Sequence, residues 1–190
     1  MTEITNTTVG SDDLPKAIET FILQWGDLGS QWGVNRSVSQ IHAYLYLADQ
    51  PLTAEDVATT LGMARSNVSN SLKELLSWNL IQRVPIRGDR RDHFRAETDV
   101  WEIATRIAAG RKAREIDPAL TALRTCLAQT DDDPRVSKEK RKKLKAMLEF
   151  TETADRWYNQ MLSVPHSKLA TILELGARIS GFVPSSKDSD

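Results

Sequence analysis

The stretch from Thr53 to Arg95 constrains the chain more than any other, because stop and start signals follow one another there at intervals that permit only short, tightly joined elements. Thr53 stands three residues before Asp56, the spacing at which a hydroxyl and a carboxylate cap each other's backbone amides at a helix start. Val57, Ala58 and Leu61 then make one apolar face, and Gly62 supplies the tight turn that ends the helix. A second helix begins almost at once. Ala64, Val68, Leu72, Leu75 and Leu76 fall on one side of it at helical spacing, while Ser66, Asn67, Asn70, Lys73 and Ser77 fall on the other. Asn79 is placed for a left-handed stop, and Leu80-Ile81 open an extended run. Residues 83–95 read as two strands turning at Gly88-Asp89, with Leu52 able to add a third short strand. Two short helices across a tight turn, followed by a hairpin, form a winged helix-turn-helix.

The outer face of the second helix is small, neutral and polar, with Glu74 as its acid. Solvated helix faces are usually rich in Glu and Lys; short amides and hydroxyls on an acid-poor face instead suit entry into the major groove of duplex DNA. Charge agrees. Residues 62–95 hold seven Lys or Arg against three acids, a local balance of +4 in a chain of net charge −1, which leaves −5 for the rest. Such concentration on one segment is the footprint expected of a phosphate-binding surface. On this reading Asn67 and Asn70 meet adenine edges, and Arg65 and Ser66 hold phosphate or guanine at the helix start. Ser69, Lys73 and Arg87 complete the surface, and Asp89 is placed to orient Arg90 or Arg91 toward the minor groove. The alternative is a winged helix used as a protein-interaction scaffold, for which four arginines within residues 87–95 have little use.

The Leu61-Gly62 turn, Arg65-Ser66-Asn67-Val68-Ser69 opening the second helix, Leu80-Ile81 after it and Gly88-Asp89-Arg90-Arg91 in the wing together resemble the MarR-type winged-helix regulators, and within them the GbsR-like branch. The similarity runs from residue 14 to residue 183. Ala64 departs from the pattern, standing where such proteins often place a Ser or Asp cap, at a cost of about 1 kcal/mol. The resemblance implies a homodimeric transcriptional regulator, by expectation a repressor, on a pseudopalindromic operator. It also implies an effector pocket between the dimer helices and the DNA-binding lobe, with a quaternary ammonium such as choline or glycine betaine as the effector class. Indole faces attract such cations, which makes Trp25, Trp32 and Trp101 the effector candidates.

The fold expected is mainly α: a winged helix-turn-helix with a small β wing, flanked by long dimerisation helices. Residues 1–13 read as a disordered tail, 14–36 as an N-terminal helix, 37–97 as the DNA-binding domain, 98–183 as a helical dimerisation region and 184–190 as a second disordered tail. In the first helix Phe21, Trp25, Leu28 and Trp32 form an aromatic stripe beside Gly26, Gly29 and Gly33. Three glycines cost a helix about 2 to 3 kcal/mol relative to alanine. Tertiary structure must offset that, either by close approach of a neighbouring helix, the first reading, or by leaving a cavity beside the indoles. Ser37 or Ser39 is placed to cap the next helix, and Thr98 or Asp99 the one after the wing. Asp117-Pro118 marks a bend or restart. Lys138–Lys145 reads as a solvated helix start. Met147, Phe150, Ala154, Trp157 and Met161, then Leu169, Ile172, Gly176, Ile179 and Val183, recur at three and four residues. Stripes this narrow want a partner helix. Met147, Phe150, Trp157, Met161, Ile172 and Ile179 are therefore the candidate dimer contacts, with an intrachain hairpin as the competing use.

Nothing in the sequence supports an enzyme. It has no glycine-rich phosphate loop and no nucleophile elbow, and its three His and one Cys lack metal-ligand spacing, so neither cofactor nor metal is expected. Cys126 lies among Leu120, Leu123 and Leu127, where a buried, inert thiol is the default. With no apolar run long enough for a membrane span and no signal-peptide pattern, no membrane partner and a cytoplasmic location are expected.

Overall fold

A computed structural model describes residues 14–130 and 133–179, which divide into two compact units between Arg106 and Ile107. Both expected tails lie outside the described residues.

The first unit opens with helices α1 (Lys16–Gln31) and α2 (Arg36–Leu47). The cap of α2 is Asn35, whose side chain accepts a hydrogen bond from the Ser37 amide at 2.8 Å, rather than Ser37 or Ser39. Ser39 is buried, and it faces the glycines of α1. A Cβ on Gly29 would lie 1.9 Å from Ser39 Oγ and 2.6 Å from Ser39 Cβ, and one on Gly26 would lie 2.5 Å from Gln40 Cγ. Close helix approach, rather than a cavity, is what these two glycines permit. Gly33 lies past the helix end at φ 76°, where it lets the Val34 amide reach the Gly29 carbonyl at 2.9 Å, so it carries no helix-interior cost.

Strand β1 (Leu52–Thr53) leads into α3 (Ala54–Thr60), and Thr53 forms the expected capping box with Asp56. Helix α4 (Arg65–Ser77) follows, then β2 (Ile81–Val84) and β3 (His93–Ala96). Helices α1, α3 and α4 end alike, with Gly33, Gly62 and Asn79 at positive φ and a six-residue backbone hydrogen bond closing each turn. The antiparallel sheet has the order β1-β3-β2, pairing Thr53 with His93 and Ile81 with Ala96. Ile41 of α2, Val57 of α3 and Val68 and Leu75 of α4 are fully buried and form the centre of this unit. Val68, Leu72 and Leu75 of the apolar stripe are thereby consumed in the core, while Leu76 is half-buried and Ala64 is exposed.

Helix α5 (Val100–Arg111) is capped by Asp99, which accepts from the amides of Trp101 at 2.8 Å and Glu102 at 3.2 Å. The chain does not break at Asp117-Pro118. It passes through a π-helical turn, Lys112–Ile116, into α6 (Asp117–Gln129), and the wider turn accommodates the proline in the first turn of α6. In the second unit α6 packs on α7 (Lys138–Leu162), and α8 (His166–Ile179) follows. Lys112 Nζ bridges Asp117 at 2.6 Å and Asp155 at 2.8 Å, and Arg124 pairs with Glu152 at 3.0 Å. Leu120 is buried, but Cys126 is exposed, which corrects the expectation that this thiol is buried. Leu120, Leu123 and Leu127 repeat at three and four residues, and Cys126 is rotated about 100° from Leu127, off that seam.

Candidate nucleic-acid interface

Each side chain expected on α4 to meet DNA is exposed: Arg65, Ser66, Asn67, Ser69, Asn70 and Lys73. They stand outward because Val68, Ser71, Leu72 and Leu75 take the buried positions of the same helix. Ala64 offers no side-chain cap, as its chemistry requires. The first turn of α4 is tied down from neighbouring elements instead. Arg65 Nη2 donates to Glu55 Oε1 of α3, and Asn67 Nδ2 donates to Ser37 Oγ of α2 at 2.9 Å.

The wing is the connection between β2 and β3, with Gly88 at φ 88° in its turn. Of the two arginines that Asp89 could orient, it holds Arg91. Its carboxylate accepts from the Arg91 amide at 2.9 Å, from Nε at 3.0 Å and from Nη2 at 2.5 Å. The Arg91 guanidinium accordingly holds the Asp89 carboxyl well below the usual carboxylate range. His93, buried in β3, anchors this tip from beneath: its Nδ1 lies 3.0 Å from the Arg91 carbonyl oxygen, and its Nε2 3.5 Å from Asp89. Arg83 pairs with Asp92 at 3.5 Å, whereas exposed Arg87 and Arg90 have no acidic partner among the described residues. Arg83 and Arg91 are thus tied to acids of the loop, whereas the charges of Arg87 and Arg90 are uncompensated.

Helix and wing share a cleft of about 450 Å³. Arg65, Ser69 and Lys73 line one side, Arg83 and Arg91 the other, and Leu72, Leu76 and Phe94 are also among its lining. Of the expected DNA-contacting residues, Arg65, Ser69, Lys73 and Arg91 line this cleft, where Glu55 and Asp92 are the acids, and the others lie outside it on α4 and the wing. Ser37, Glu55, Arg83 and His93 were not among those expected. Arg83 was legible in the charge count; the others act through pairings across elements that no local spacing shows.

The expected effector residues do not converge in this way. Trp25 is half-buried and stacked on Phe21 with ring centroids 5.5 Å apart, Trp32 is 61% exposed, and Trp101 lies near the start of α5, 37% exposed. None of the three lines the cleft beside α4 or the smaller one of about 100 Å³ where Ile22, Gln40, Thr60 and Met63 meet. Among the candidate dimer contacts, Met147, Phe150 and Trp157 are exposed by 60%, 75% and 56%. Ile172 is exposed, Met161 is half-buried and Ile179 closes α8. Helix α7 contains no buried residue.

Residues 32–92 match the sequence model of the MarR family. The chain is similar to the HTH-type transcriptional repressor GbsR of Bacillus subtilis, 28% identical over 57% of this chain and 58% of that one. It is also similar to the HTH-type transcriptional regulator MmpR5 of Mycobacterium tuberculosis, 26% identical over 51% of this chain and 56% of that one. The matches span little more than half the length of these relatives. A crystal structure described as a transcriptional regulator aligns with a TM-score of 0.60 over 77% of this chain and 95% of its own, at 19% identity, which shows a shared fold.

Proposed function

Because the chain carries, over residues 32–92, the winged helix of the MarR family, we propose that it is a DNA-binding transcriptional repressor acting as a homodimer on a pseudopalindromic operator. One observation carries this reading. The acid-poor outer face of α4 and the arginine-bearing wing border one cleft, lined by Lys73 and by Arg65, Arg83 and Arg91 in their ion pairs, and the exposed Arg87 and Arg90 of the wing add charge that no acid among the described residues compensates. A scaffold for a neutral partner would gain nothing from that arrangement, whereas a duplex offers bases to α4 and phosphates or a minor groove to the wing. A dimer follows from the same logic, since two modules one helical turn apart discriminate an operator from bulk DNA far better than one. The exposed stripe of Met147, Phe150 and Trp157 is the surface proposed to bury itself in that dimer.

Duplex affinity measured across a salt series tests the proposal. Six to ten phosphate contacts lower it by roughly 10³ to 10⁵ between about 50 and 200 mM salt. A flat response returns the fold to the scaffold reading. The effector is a separate part of the proposal: a quaternary ammonium recognised by the indole faces of Trp25, Trp32 and Trp101. Choline and betaine titrations should then perturb indole fluorescence and shift duplex affinity reciprocally. Unchanged signals at millimolar ligand leave the aromatic stripe to packing.

A further inference from the structure

We infer that the base-reading side chains at the start of α4 are oriented from outside their own helix, Arg65 by Glu55 of α3 and Asn67 by Ser37 of α2. This inference rests on the DNA reading above.

The first turn of a recognition helix is where base edges are met, and here it has no cap of its own, because Ala64 cannot accept a hydrogen bond. Its long side chains would sample many rotamers and lose that freedom on binding. Two neighbours restrict them. Glu55 lies in the first turn of α3, which is fixed by the Thr53–Asp56 box, with 2.8 Å from the Thr53 amide to the Asp56 carboxylate. Thr53 is itself paired with His93 in the sheet. Sheet, cap, Glu55 and Arg65 thus form one continuous support. A guanidinium has five N–H donors; the one given to Glu55 leaves an edge able to face the O6 and N7 of a guanine.

Asn67 is held in the same manner. Ser37, whose amide is fixed by Asn35 at 2.8 Å, accepts one hydrogen of the Asn67 amide at 2.9 Å. The second hydrogen and Oδ1 are left for the N7 and N6 of an adenine. Both supports are positioning residues.

Position can be separated from mere charge. Glu55 is a carboxylate beside the phosphate path, so a residue that contributed only its charge would, once neutralised, strengthen binding to every sequence equally. A positioning residue would also lose discrimination at one place.

The test is selection from random duplexes, followed by competition between the enriched duplex and single base-pair variants, for the full chain and for Glu55→Gln, Ser37→Ala, Ser37→Thr, Arg65→Lys and Asn67→Ala. Glu55→Gln should lose about three- to tenfold discrimination at the base pair that Arg65→Lys also relaxes. Its affinity for random duplex should rise. Ser37→Ala should relax the base pair that Asn67→Ala relaxes, and Ser37→Thr, which keeps the hydroxyl, should restore the parent's preference. If the parent selects a motif and both Glu55→Gln and Ser37→Ala return it unchanged, the inference is overturned. If the parent selects nothing, the DNA reading is what falls.

Discussion

Gly29→Ala measures how tightly α1 is clamped on α2. Within a helix, alanine is favoured over glycine by about 1 kcal/mol, so an unobstructed site would be stabilised. Here the new methyl would stand 1.9 Å from Ser39 Oγ and 2.6 Å from Ser39 Cβ. The hydroxyl can rotate away, but the Ser39 Cβ is fixed by the backbone of α2. The helices must therefore move apart by about 1 Å to restore an ordinary carbon–carbon contact of about 3.5 Å. Overpacking of this kind costs about 1 to 3 kcal/mol. The upper half of that range applies, because the obstacle is not a flexible chain end. Less the propensity gain, the expected loss is about 1 to 2 kcal/mol, read as a lower urea midpoint at unchanged m-value. Gly29→Ala/Ser39→Gly, which removes both obstructing atoms, should recover most of the packing loss. Gly176→Ala in α8, where no atom of the described residues lies within 4 Å, should gain up to about 1 kcal/mol. A Gly29→Ala protein as stable as the parent would refute the clamp and return the glycines to lining space.

Three further outcomes are expected. Burial without a hydrogen bond for Nε2 lowers the His42 pKa to about 4 from an ordinary 6.5, so the unfolded chain takes up the proton first. Stability is complete above pH 6.5 and falls as pH drops from there toward 4, by a total of about 3 kcal/mol, and His42→Leu should flatten that part of the urea-midpoint profile. Trp157→Ala with Met161→Ala should lower the mass seen by light scattering at micromolar concentration, and operator affinity with it; an unchanged mass places these residues in intrachain packing. Arg90→Ala should weaken all duplexes alike and reduce the salt slope by about one unit, and an unchanged slope and affinity would remove Arg90 from the surface.

Local punctuation was the legible part of the fold. Thr53–Asp56, Gly62, Asn79 and Gly88 each act within a few residues, and each stands where its spacing indicated. The outward face of α4 was legible for the same reason, because helical periodicity alone decides which residues the core consumes. What could not be read were pairings between elements. Asn35 displaces the serines as the cap of α2, because the helix begins at Arg36. Arg65 meets Glu55, and Asn67 meets Ser37, only because α2, α3 and α4 cross as they do. Cys126 is exposed because the leucine seam claims a neighbouring strip of α6. The glycine stripe left two uses open, and the Ser39 contact decides for packing at Gly29.

Whether α4 reads base sequence is tested by enrichment from random duplexes with the parent chain, Asn67→Ala and Asn70→Ala side by side. The parent should enrich a pseudopalindrome whose half-sites lie about one helical turn apart, or a multiple of that spacing. Each variant should relax particular base pairs of that motif, by about 1 to 3 kcal/mol. A parent that enriches nothing, or two variants that both return its motif intact, would contradict base reading by this helix.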